Sequence, residues 1–230
     1  MNFKYAHLLI LAGLLGSASA HGDIIEIISG EGTACEYEAG LDGIISGLPT
    51  DCETVAIAPH SLWQTNDPLG RGAVWVSYAE TGVDGSGASA PTDTNSPLFT
   101  IVETFEITSA GSIDFWIWAD DTADLYFNLA TTSEPTSIWS ANFSQNICAD
   151  GQIGSEPHEG YNMVLDLVAP GSYDITMSMW QIGTGATNQN NPFGVLYSGA
   201  VTYNVPEPGT LALFGIGLLG LGATRRRRKA

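Results

Sequence analysis

Between His21 and Asn204 this chain of 230 residues carries one Lys or Arg, Arg71, against 24 Asp and Glu. Nucleic acids and anionic lipid headgroups are held through Lys and Arg contacts with phosphate, so a body this poor in cations is excluded from both roles. Its acidity suits divalent cations, a cationic polymer or a neutral sugar. Self-repulsion among unpaired carboxylates also weakens a compact state, so stability is expected to depend on ionic strength or calcium. Cysteine is scarce too, with three in the chain. Cys35 and Cys52 lie close together across Gly-rich, turn-prone sequence, and a local bridge between them would be worth about 3 kcal/mol by the chain-entropy model. Cys148 is left as a buried thiol, a cross-link to another chain, or a partner of either other cysteine.

Helical periodicity is missing as well. No window of ten or more residues between 21 and 204 shows a convincing helical stripe, and there is no internal repeat. Period-2 alternation is what recurs: Ile113, Phe115, Ile117 and Ala119, then Leu125, Phe127 and Leu129, then Met163, Leu165 and Leu167, then Tyr173, Ile175, Met177 and Met179. Gly, Pro, Asn and Asp clusters such as Ala169-Pro170-Gly171-Ser172 separate these runs. Ile24 to Ile28, Val55 to Ala58, Ala73 to Ala79 and Val195 to Tyr203 are further strand candidates, while Glu80 to Pro97 and Gly183 to Pro192 read as surface loops. Short strands with turn punctuation predict an all-β antiparallel sandwich, a jelly roll.

The two ends differ from the body. Lys4, the apolar stretch Leu8 to Gly16 and the Ala-x-Ala site at Ala18 and Ala20 read as a secretory signal peptide over residues 1–20, which implies the Sec translocon and signal peptidase as partners. At the other end, Pro206-Glu207-Pro208 precedes an apolar stretch from Leu211 to Ala223 and then Arg225, Arg226, Arg227, Arg228 and Lys229. Those 13 apolar residues reach roughly 20 Å as a helix against a hydrocarbon core of about 30 Å, too short for a comfortable permanent span. By the positive-inside bias, the basic end stays cytoplasmic and everything before Pro206 faces out.

That ordered set over residues 205–230 resembles the PEP-CTERM sorting signal of Gram-negative bacteria that make extracellular polysaccharide. The resemblance implies recognition by an exosortase and cleavage near Pro206-Glu207-Pro208. It also implies transient inner-membrane anchoring, then release or transfer to the cell surface or the polysaccharide matrix of a biofilm. The body, residues 21–204, then serves adhesion or matrix structure without catalysis.

The segment from Ala119-Asp120-Asp121-Thr122-Ala123-Asp124 to Asn128 and the later one from Asn191-Pro192-Phe193-Gly194 to Gly199 carry a second resemblance, to the jelly-roll domains of many secreted PEP-CTERM proteins, which are similar to galactose-binding-type and protective-antigen-type lectin sandwiches. In the calcium-dependent members an adjacent Asp-Asp pair holds the ion and the ion holds sugar hydroxyls; Asp120 and Asp121 match that pair. Calcium wants six to eight oxygens, which Asp120, Asp121, Asp124 and Asn128 could help supply. The alternative is a plain Asx-type turn between two strands. Trp116, Trp118 and Trp180 lie on strand faces that also carry Asp114 and Asp174, where rings beside carboxylates can stack a sugar; they can equally lie under a loop. A calcium-dependent carbohydrate-binding module is therefore the alternative function. A remote alternative is a copper polysaccharide monooxygenase, whose N-terminal His, here His21 after cleavage, would bind the metal with His60 or His158.

Overall fold

The computed structural model describes residues 21–37, 50–82, 96–129, 136–141, 153–181, 192–205 and 216–217. Ile24–Thr202 forms one compact unit; Met1–Asp23 and Tyr203–Ala230 form a second, most of which lies outside the described residues. The signal-peptide residues Ala18 and Ala20, Pro206-Glu207-Pro208 and the basic tail are among those outside. Of the apolar stretch only residues 216–217 are described, and they are helical. Among the described residues no helix is long and apolar enough to cross a membrane.

Among the described residues twelve strands follow in order: β1 (His21–Ile28), β2 (Ala34–Tyr37), β3 (Cys52–Glu53), β4 (Val55–Ala56), β5 (Val76–Ser77), β6 (Phe99–Ile107), β7 (Gly111–Asp120), β8 (Thr122–Leu129), β9 (Thr136–Trp139), β10 (Tyr161–Leu167), β11 (Gly171–Trp180) and β12 (Gly194–Val205). One sheet runs β10-β7-β12-β5-β4 with β1 also on β12; the other runs β3-β2-β6-β11-β8-β9. Four antiparallel pairings are nested about the β8–β9 connection: β8 with β9, β7 with β10, β6 with β11 and β5 with β12. A long hairpin of this kind, wrapped so that its successive strand pairs fall in alternate sheets, is a jelly roll. Each sheet buries the face turned to the other, which gives the recurring alternation of β6 and β11; where β7, β8 and β12 run buried on consecutive residues, the opposite face is covered as well.

Ile113, Phe115, Ile117 and Ala119 of β7 and Met163 and Leu167 of β10 are buried, with Phe115 in register with Met163. From the facing sheet come Phe99, Ile101 and Phe105 of β6 and Tyr173, Ile175, Met177 and Met179 of β11, paired along the strands. Tyr197 of β12 stacks on Phe115 with ring centroids 5.9 Å apart. Gly199, two residues on, leaves room for that ring, since a Cβ there would come within 2.6 Å of Phe115.

The β2–β3 pair escapes the alternation test because it is short and only partly buried. It is fixed by a Cys35–Cys52 disulfide, with Cα atoms 4.9 Å apart and the two cysteines in register. Two expected strands are shorter than the sequence suggests. Val55 to Ala58 shrinks to Val55–Ala56 and Ala73 to Ala79 to Val76–Ser77. Beyond these bounds the backbone leaves the ladder to hold loops, with Val74 N–H on Ser29 O at 3.1 Å and Ile57 N–H on Trp75 O at 2.9 Å. The expected loops at Glu80 to Pro97 and Gly183 to Pro192, and Cys148, lie largely or wholly outside the described residues.

Candidate functional site

β7 and β8 belong to different sheets yet are separated by one residue, Asp121, so the chain crosses the end of the sandwich at Asp120-Asp121. The crossing is held by backbone bonds: Ala119 N–H to Gly154 O at 3.0 Å and Asp121 N–H to Trp180 O at 3.1 Å. Two segments fold over the outer face of the β7 sheet here, residues 57–75 and 153–160. They are tied to each other by Gln64 N–H on Ser155 O at 2.7 Å.

Beneath them lies a second apolar cluster of Ile57, Trp63, Trp75, Trp118 and Leu196, with Trp116 packed at its margin. Trp63 and Trp75 have centroids 4.3 Å apart, and Trp116 and Trp118 stack at 5.5 Å with planes 10° apart. Trp118 is buried, and Gly160 sits so close over it that a Cβ would fall 2.1 Å from its ring. Trp116 keeps part of its surface open. Asp67 anchors the covering segment, accepting backbone N–H groups from Leu69 at 2.9 Å, Ala73 at 3.2 Å and Arg71. Burial pushes its carboxyl up, but a hydrogen bond with the Ser198 hydroxyl, joined by these backbone bonds, outweighs it and holds the group below the usual range.

Asp120 is partly buried among these groups. Burial, then the charge of Asp121 and a hydrogen bond with it, push the Asp120 carboxyl well above the usual carboxylate range; hydrogen bonds from the Trp63 indole and Ser155 hydroxyl pull the other way. Burial and the neighbouring Asp121 charge both disfavour an ionised Asp120, and a cation at this corner would oppose them. Trp63 and Ser155 are partners that the sequence reading did not single out. The one available signal was a Trp within a Pro- and Gly-rich segment.

Asp124 is engaged elsewhere. Its Oδ1 accepts from Ala141 N–H at 2.6 Å and its Oδ2 from the Trp180 indole at 2.8 Å, so Trp180 is buried as a strand-to-strand tie. Asn128 stands farther along β8, in register with Asp174. Among the described residues no group of three or more His, Cys, Asp and Glu is placed to hold a metal ion. The structure thus brings Asp120 and Asp121 together without Asp124. Gln181, directly after the carbonyl that receives the Asp121 N–H, is fully buried with neither side-chain amide atom hydrogen-bonded.

The histidines are dispersed over separate elements. His60 accepts from Leu62 N–H in the covering segment, His158 lies 3.6 Å from Glu156 in the 153–160 turn, and the His21 side chain is outside the described residues.

Comparison with known proteins gives one sequence match: the PEP-CTERM protein-sorting motif over residues 204–228. It implies exosortase-dependent export and association with the surface. No curated protein matches the chain. Among solved structures, similar ones include the pre-peptidase C-terminal domain of a Bacillus anthracis collagenase (14% identity, 49% of this chain, 83% of that one, TM-score 0.29). A family 35 carbohydrate-binding module from Clostridium thermocellum is another (12% identity, 64% and 86%, TM-score 0.30). A third is the K3 adhesin domain of Lys-gingipain from Porphyromonas gingivalis (16% identity, 75% and 97%, TM-score 0.30). Scores this low carry no functional argument.

Proposed function

We propose that this chain is a non-catalytic surface or matrix protein: an exported jelly roll that an exosortase cuts near Pro206-Glu207-Pro208 and hands to the cell surface or its polysaccharide. The observation that carries this reading is the sorting motif at residues 204–228. The body supports it physically. A disulfide, a doubly buried sandwich and a second apolar cluster over one outer face make a rigid, strongly acidic carrier suited to standing in an ionic matrix. The test follows the protein in its own host, comparing the full chain with one ending at Val205 and with a strain lacking exosortase. The full chain should reach the surface, the truncated chain should be lost to the medium, and the uncut chain should accumulate in the membrane fraction without exosortase. Identical distribution in all three strains would refute the reading.

A second reading is favoured by the adjacency of Asp120 and Asp121 at the crossing, where burial and then the Asp121 charge hold the Asp120 carboxyl well above the usual carboxylate range. In it calcium binds at the Asp120-Asp121 corner, and the body becomes a calcium-dependent carbohydrate-binding module. The two carboxylates would hold the ion, and Ser155 and Trp63 would orient Asp120. Calcium should raise the melting temperature of the wild type and leave Asp120→Asn unchanged; an equal response of the two proteins, or none in either, would remove this reading.

A further inference from the structure

The covering segments leave part of the β7 sheet's outer face open, and that part has a composition of its own. Trp116 stands at the border, with Asn162 opposite it on β10, then Val164 opposite Asp114 and Asp166 opposite Ser112. Asn162 donates its amide to Asp114 Oδ1 at 2.6 Å, which fixes the carboxylate. Among the described residues nothing engages Asp114 Oδ2. Val164 is 64% exposed, and Asp166 is exposed beside it. An indole edge, an apolar step and two carboxylates thus share one flat strip. On an antiparallel pair, diagonal neighbours such as Asp114 and Asp166 are about 7–8 Å apart.

We propose that this strip is a binding site for a cationic amino-sugar polymer, a glucosamine-type glycan whose free ammonium groups meet Asp114 and Asp166 while the apolar face of one ring rests on Trp116. The charge of the body selects this occupant. With 24 Asp and Glu, and a lone Arg71 already bound to Glu26 at 2.5 Å, the body has no free cation to neutralise these carboxylates from within. An anionic glycan is repelled by the same field, and a neutral one gains nothing from it. Stacking of the indole against C–H groups and its attraction for a nearby ammonium add orientation to the charge pairing. The site is separate from the Asp120-Asp121 corner and needs no metal. It rests on the reading of the body as facing a polysaccharide matrix and names the chemistry of the polymer.

The test uses the full chain in mild detergent, with a β-linked glucosamine hexamer and its fully N-acetylated counterpart as probes, in the presence of chelator. Binding of the hexamer should exceed that of the acetylated form by at least about tenfold and weaken as salt rises. Trp116→Ala and Asp114→Asn should each cost about tenfold, whereas Glu106→Gln, an exposed carboxylate on β6 of the other sheet, should change binding less than twofold. Asp114→Asn is close to isosteric, so it keeps the test valid if the indole truncation disturbs the second cluster. No binding, equal binding of the two hexamers, or an equal loss in Glu106→Gln would overturn the proposal. Delivery to the surface reads the sorting tail and is indifferent to Asp114. A protein that reaches the surface but ignores the hexamer therefore removes this inference alone.

Discussion

Glu103 points into the sandwich from β6, between the buried Ile101 and Phe105, and Tyr197 of β12 reaches across to donate its hydroxyl to Glu103 Oε1 at 2.5 Å. Burial pushes the Glu103 carboxyl above its ordinary value of 4.5, and the Tyr197 hydrogen bond draws it partly back; burial also pushes the Tyr197 hydroxyl up, followed by the Glu103 charge. The folded state therefore holds the Glu103 proton more tightly than the unfolded chain. Its contribution to stability is complete below the unfolded value of 4.5 and is lost as pH rises through the folded value. Tyr197→Phe keeps the ring stacked on Phe115 and removes the hydroxyl that donates to Glu103; its lesser hydrogen bond with Thr33 is lost at both pH values alike. At pH 7.5 an ionised carboxylate would lose its hydrogen bond, costing about 1.5–3 kcal/mol; at pH 4 a neutral acid would lose it, costing about 0.5–1.5 kcal/mol. Urea unfolding followed by tryptophan fluorescence at the two pH values reads the difference, because every other titrating group acts alike in both proteins. The variant should be about 1 kcal/mol worse at pH 7.5 than at pH 4 relative to wild type. An equal cost at both values, or a larger cost in acid, would refute the assignment of the charge to Glu103.

Replacing Cys35 and Cys52 together by Ala should lower stability by about 3 kcal/mol, seen as a fall in the urea midpoint with a somewhat steeper slope, because the closed loop constrains the unfolded chain and its loss lets that chain expose more surface. Gly160→Ala drives a methyl group into the buried Trp118 ring and should cost about 1–3 kcal/mol, with a changed near-ultraviolet circular dichroism signal as the tryptophan cluster shifts. Trp63→Phe removes the indole donor to Asp120 and should raise that carboxyl's pKa further, measurable by isotope-resolved titration of the side chain.

The lectin-like corner shows where sequence reasoning reached its limit. Asp120-Asp121 is visible as an acidic dipeptide after an alternating run, but an Asx turn and an ion site share that signature. Asp124, three residues on, lies on the strand rather than the crossing, and its carboxylate is spent on Trp180 and Ala141. The tryptophans divide in the same way: Trp118 and Trp180 are buried, and Trp116 alone of the three keeps an open part. Their strand positions differ little in sequence; Trp118 and Trp116 are separated by whether residues 57–75 and 153–160 pass overhead, while Trp180, on the other sheet, is tied down by Asp124.

Local chemistry settled the class of fold and the sorting tail from the residues alone. Period-2 alternation is a property of neighbouring residues on a strand whose one face is buried, and the tail is an ordered string of proline, apolar and basic residues. The pairing of β5 with β12, the seat of Glu103 against Tyr197 and the contact of Trp63 and Ser155 with Asp120 join residues far apart in the chain. No local pattern encodes these contacts, because each is fixed only when two sheets close on a shared core and the loops between their strands find the outer face left to cover.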